Sequence, residues 1–174
     1  MAWKKGRGKL GPLQPLLGAW RTANSEGSTA GATMACTRSF TPFGKGWIRL
    51  EAVWQVGPGR EYVETAFFGP GEDGVLAFFS FTNDGKSSTG RLADGSDVHA
   101  EAIAFEAQMP AGLARFVYWP AEDGGPGFQF AVENRTKKGW NRFCGRISCR
   151  PAEARPTIHA LPAGVRGRIV DKVN

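Results

Sequence analysis

Cysteine and histidine are scarce in this chain of 174 residues: three of the first (Cys36, Cys144 and Cys149) and two of the second (His99 and His159). Three cysteines cannot all pair and are too few for a disulfide scaffold. Cys144 and Cys149 are five apart, so on a regular strand they point to opposite faces and cannot bridge. The two histidines are far apart and no Cys-x-x-Cys occurs, so no metal site is expected. No apolar run approaches the ~18–20 residues of a membrane-spanning helix, so no membrane span is expected. The basic start, Met1 to Lys9, is not followed by an apolar stretch, because Leu10–Leu17 is broken by Gly11, Pro12, Gln14 and Pro15. A secretory signal is therefore not predicted. Together with the cysteine usage, this makes the cytoplasm the expected location.

Acidic charge is missing from the two ends. Residues 1–15 carry Lys4, Lys5, Arg7 and Lys9 with no acid, and the end of the chain carries Arg150, Arg155, Arg166, Arg168 and Lys172 against Glu153 and Asp171. The net charge of +6 lies wholly in these termini, and the region between is close to neutral. A polyanion needs charge clustered on a folded face or arm, so no specific nucleic-acid partner is expected. Catalytic signatures are also lacking. There is no Gly-x-Ser-x-Gly, no glycine-rich phosphate loop opening a helix and no histidine in a recognisable dyad. His99 stands beside Asp97 and Glu101 at an expected turn. The paired acids at Glu72-Asp73 and Glu122-Asp123 sit in glycine-rich turns that water solvates. The catalytic assignment is left unknown and no cofactor is expected.

Short strand-like runs are plentiful. Leu17–Ala23, Thr33–Thr41, Trp47–Val56, Arg60–Phe68 and Val75–Thr82 are followed by Ser87–Leu92, Val98–Gln108, Leu113–Trp119, Phe128–Arg135 and Gly139–Cys149. Between them lie strong turn sequences such as Gly57-Pro-Gly59, Asn83-Asp-Gly85 and Asp123-Gly-Gly-Pro-Gly127. In Trp47–Val56 the even positions Ile48, Leu50, Ala52, Trp54 and Val56 are all apolar, while Arg49, Glu51 and Gln55 fall between them. That period of two marks a strand with one wet face. Pro12 suits the first turn of a short helix around Leu13–Leu17.

The expected fold is all-β, an antiparallel up-and-down β-barrel of about ten strands, with a short N-terminal helical turn. Closure removes the exposed edges that ten strands in sequence order would otherwise leave, and a two-sheet sandwich is the alternative. The domain reading is a basic N-terminal segment at 1–15, the barrel at 16–150 and a Pro-rich basic tail at 151–174. The tail is expected to be extended or disordered, with a short element near Val165–Val173.

Leu16-Leu17-Gly18-Ala19-Trp20 at the entry to the first strand is a Gly-x-Trp signature, and the last strand, Gly139-Trp-Asn-Arg142-Phe-Cys-Gly-Arg146, carries arginines. This pattern resembles the lipocalin/calycin family, in particular uncharacterised bacterial lipocalin-like proteins. The resemblance implies that Trp20 closes the barrel floor and that Arg142 or Arg146 packs over it. A guanidinium on an indole face gains about 0.5–2 kcal/mol. It also implies that the interior takes a small hydrophobic or amphipathic molecule. A related possibility is haem held by a late histidine, for which His159 is the one candidate.

Arg38 shares a strand face with Met34, Cys36 and Phe40, and Glu64 shares one with Tyr62, Ala66 and Phe68. If these faces point inward, the buried cation needs a partner. Either Glu64 supplies it, or both groups orient the head of an apolar acid. The alternative places Arg38 in solvent, with Thr33, Thr37 and Thr41 inside. The candidate ligand-binding residues are therefore Arg38, Glu64, Tyr62, Tyr118 and Phe40, with the Tyr118 hydroxyl as a further polar group. Two other function classes stay open: an enzyme that uses Arg, Tyr and Glu to polarise a carbonyl, and a dimeric interaction module with a solid barrel. For a homodimer, Phe67, Phe78 and Trp119 are the expected contact residues.

Overall fold

The computed structural model describes residues 3–25 and 35–152. A 3-10 helix at Gly11–Leu16 leads into ten strands. These are β1 (Gly18–Ser25), β2 (Cys36–Phe43), β3 (Trp47–Gly57), β4 (Arg60–Pro70), β5 (Leu76–Thr82), β6 (Ser87–Ala93), β7 (Ile103–Met109), β8 (Gly112–Pro120), β9 (Phe128–Thr136) and β10 (Gly139–Pro151). Each strand pairs antiparallel with its sequence neighbours, and β1 pairs with β10, so the sheet is a closed barrel. The expected up-and-down barrel is present, and the sandwich is not.

The period of two places the core. Ile48, Leu50, Ala52 and Trp54 of β3 are buried inside, whereas Glu51 and Gln55 are exposed; Val56, the last apolar residue of the run, emerges at the rim. The same alternation sends Phe68 of β4, Phe78 of β5, Phe105 of β7, and Phe128 and Phe130 of β9 into one continuous interior cluster. These rings meet edge-on or tilted, as Phe68 and Phe105 do with centroids 5.2 Å apart, the geometry that aromatic quadrupoles favour. Gly90 of β6 makes this packing possible, because a β-carbon there would collide with the Phe78 ring and the Glu106 carbonyl.

One end of the barrel is shut. The 3-10 helix buries Leu13 and Leu16 completely in the core cluster beside Trp20. The N-terminal residues cross the same end: the Trp3 indole N–H donates to the Glu101 carbonyl at 3.3 Å, and Lys5 Nζ donates to the Ala102 carbonyl at 3.1 Å.

The run expected as a strand from Val98 begins pairing only at Ile103. Residues 94–102 instead form turns, started by the Asp94 carboxylate accepting from the Ser96 N–H at 3.0 Å, an Asx turn that competes with extension. This loop covers a second, outer cluster of Ala104, Val117, Trp119 and Ala131. Arg115 fastens it: its guanidinium donates to both Asp97 carboxylate oxygens at 2.7 and 2.8 Å and to Glu133 at 2.9 Å. It also lies 4.4 Å from the centroid of the Trp140 ring.

These placements revise the expected subunit contact. Phe78 points into the interior, and Trp119 is buried beneath the loop and the β10 arginines. Phe67 alone of the three lies partly exposed on the outer face, edge-to-face with Phe43 at 5.1 Å. Of the 151–174 tail, only Pro151 and Ala152 fall among the described residues, so the element expected near Val165–Val173 and His159 lie outside them.

Candidate functional site

Trp20 lies at the closed end, its indole N–H donating to the Leu16 carbonyl at 2.7 Å and its ring edge-on to Phe128 at 5.1 Å. This is the end at which the Gly-x-Trp resemblance implied a tryptophan. The arginines implied as its cover lie elsewhere. Arg142 and Arg146 lie on the outer face, their guanidinium carbons 5.9 and 6.0 Å from the Trp119 ring centroid. Arg142 Nε is 3.6 Å from Glu133, and Arg146 pairs with Glu122. Arg142 and Arg146 thus face outward, while Ile147 and Cys149 are buried inside.

Above the floor, one layer of polar groups crosses the barrel. Arg38 of β2 points inward and is 3% exposed. Its Nη1 donates to the Tyr118 hydroxyl oxygen of β8 at 3.3 Å, and its Nη2 is 3.9 Å from a Glu64 carboxylate oxygen of β4. Glu64 is held in turn by the Ser80 hydroxyl of β5, which donates to its other oxygen at 2.7 Å. The guanidinium carbon sits 3.9 Å from the Phe130 ring centroid and 5.1 Å from that of Trp54. Arg38 Nε is buried without a hydrogen-bond partner.

Burial works against the charge on Arg38, but Tyr118, Cys36, Glu64 and Cys149 around it outweigh that and hold its pKa above the ordinary value, so it stays a cation. Burial pushes the Tyr118 phenol upward against the opposing pull of Arg38, and the hydroxyl keeps its proton. The Cys149 thiol is pushed up to about 12 by burial, with Arg38 pulling the other way. Tyr62, nearer the rim, is also raised, first by burial.

Beyond Arg38 the barrel is hollow. A cavity of about 460 Å³ runs from the Arg38–Glu64 layer to the end opposite Trp20. Trp54, Met109, Ala114, Phe116, Phe130 and Val132 wall it, and Tyr62, Thr82, Lys86, Ser88 and Asn134 carry its polar groups toward the rim. Its size falls within the range of small-molecule sites, roughly 300–1,000 Å³.

Of the residues expected around a ligand, Arg38, Glu64 and Tyr62 line this cavity. Tyr118 bonds to Arg38 from the layer beneath and borders a void of about 10 Å³ with Phe68, Phe78 and Phe105. Phe40 is corrected: it packs a layer deeper, edge-on to Tyr118 and Phe128, and does not reach the cavity. Its β2 position is two residues closer to the closed end than Arg38, so its ring fills the dry half. Trp54, Ser80, Phe116 and Phe130 went unassigned as site residues, although the alternation Phe78-Ser80-Thr82 and Phe128-Phe130-Val132 places them on inward faces. His99 lies in the outer loop, where its Nδ1 accepts from the Glu101 N–H at 3.0 Å, away from the cavity. Among the described residues no three His, Cys, Asp or Glu side chains converge as a metal-ligand set.

The class is therefore a closed ten-strand antiparallel β-barrel with an aromatic interior, solid at one end and hollow at the other. A solved structure is similar in fold: Rv2717c from M. tuberculosis matches with a TM-score of 0.54 over 84% of this chain and 99% of that one. The two sequences are 14% identical, so the likeness shows the fold. No protein-family model matches the chain, and no curated protein matches it.

Proposed function

We propose that this protein binds a small amphipathic molecule in the hollow half of its barrel, apolar body against the aromatic wall and polar head toward Arg38. One observation carries the reading: an apolar cavity of about 460 Å³ ends on a buried guanidinium whose Nε has no partner. A buried donor left unmet costs about 1–3 kcal/mol, and a ligand acceptor placed where the cavity meets the guanidinium offsets part of the cost of burying that group. The lipocalin-like Gly-x-Trp entry supports the same reading by analogy of fold, which alone does not fix function. A cytoplasmic place of action is part of the proposal and rests on the cysteine usage.

Native mass spectrometry of the purified protein, followed by denaturation and analysis of released small molecules, tests it directly. Titration with decyl-chain amphiphiles, read from the fluorescence of Trp54 against a Trp54→Phe control, extends the test. The expected result is saturable one-to-one binding that Arg38→Met weakens about 10–100-fold, the factor for a lost hydrogen bond to a charged group. If no small molecule copurifies and no amphiphile of the series binds, the reading fails.

A further inference from the structure

We propose that the head group accepted at Arg38 is a neutral hydrogen-bond acceptor, such as the carbonyl of an amide, ester or ketone, and that Glu64 turns carboxylates away. This deepens the binding reading above and rests on it. The sequence left two roles for the Arg38–Glu64 pair, partners to each other or joint orienters of an apolar acid, and the geometry separates them.

Arg38 already has a counter-charge. Glu64 stands 3.9 Å from Nη2, near enough to offset the cation in a low-dielectric interior yet too far for a hydrogen bond. The charge is thus answered while the donor capacity is not, since Nε has no partner. A neutral oxygen meets that need without adding charge. An ionised carboxylate against the guanidinium would sit beside Glu64, 3.9 Å from Nη2, within the apolar enclosure of Trp54, Phe116 and Phe130, where two like charges repel strongly.

Glu64 has little freedom to retreat, because the Ser80 hydroxyl holds one oxygen at 2.7 Å and its side chain is mostly buried. The other cation lining the cavity, Lys86, is committed to Asp84 at the exposed rim and is too far out to serve the same head group. The lining therefore offers donors without net positive charge at its inner end. The cavity volume, about fifteen water volumes, suits a body of similar heavy-atom count.

The test compares decanamide with decanoate at pH 8 by calorimetry and Trp54 fluorescence on the full chain. The expected result is that the wild type binds the amide at least tenfold more tightly than the acid. Glu64→Gln, checked for native circular dichroism, is expected to tighten decanoate at least tenfold and to remove the preference. Arg38→Met is expected to weaken the amide and flatten the difference. Decanoate binding as tightly as decanamide, or more tightly, to the wild type overturns the inference and leaves the binding reading intact. Binding of neither probe overturns both. The wild-type comparison decides the matter even if Glu64→Gln does not fold.

Discussion

The Trp20 indole and the Leu16 carbonyl, joined by a 2.7 Å hydrogen bond, tie the first strand to the helical turn that plugs the barrel. Both residues are buried, so the carbonyl has no ready access to water. Trp20→Phe keeps an aromatic ring at the floor but removes the donor. The expected loss is about 1–3 kcal/mol, the cost of a buried acceptor left unmet, measured by urea unfolding. Ligand affinity at the far end should not change.

Arg115 has two carboxylate partners in unlike surroundings. The Glu133 side chain is 5% exposed and that of Asp97 is 55% exposed. Removing the charge of a buried partner typically costs about 3–5 kcal/mol, whereas an exposed one contributes about 0–1 kcal/mol. Glu133→Gln is therefore expected to destabilise the fold severalfold more than Asp97→Asn in denaturant titrations. Equal effects would show that Arg115 does not depend on its buried partner.

Acid should release the outer loop. The hydrogen bonds from Arg115 hold the Asp97 carboxyl below the usual carboxylate range. A depressed folded pKa means that the contribution is complete above the unfolded value near 4 and is lost as pH falls through the folded one. Hydrogen-exchange protection at 94–102, corrected for the intrinsic slowing of exchange in acid, is expected to be lower below about pH 4 than at pH 7, and Asp97→Asn should remove that difference.

The Cys149 thiol, raised to about 12 by burial, carries almost no thiolate at pH 8, and the thiolate is the reactive species. Peptide mapping after iodoacetamide treatment of the folded protein should find Cys149 unmodified, and it should label fully in denaturant. Rapid native labelling would contradict the burial.

Much of the barrel can be read from alternation alone, because inward apolar residues and outward polar ones follow the pleat. The end at which Trp20 lies was legible from Gly-x-Trp, whereas the face of Arg38 stayed open between lumen and solvent, because Cys36 and Phe40 on one side and Thr37 and Thr41 on the other both suit a strand interior; the structure puts Arg38 inside. What alternation misses is pairing across the lumen: Arg38 and Tyr118 meet from strands on opposite sides, eighty residues apart, and no local pattern encodes that. The β10 arginines were misplaced for a different reason. Their cover role came from the resemblance alone, whereas in this barrel carboxylates on the outer face, Glu133 for Arg142 and Glu122 for Arg146, hold both beside Trp119. The strand start was misread at Val98–Ala102, because Val98 looks strand-forming in isolation, while the Asp94 turn and the Arg115 anchor decide the path of 94–102.

The seam of the barrel has a kinetic consequence. Nine of its ladders join strands consecutive in the chain, and the tenth joins β1 to β10 from opposite ends of the domain. The nine join strands separated by about ten residues or fewer, whereas the seam must gather nearly the whole domain and bears the largest loop-closure entropy. The β1–β10 ladder is therefore expected to be the last to form. Substitutions along that seam would then speed unfolding far more than they slow folding.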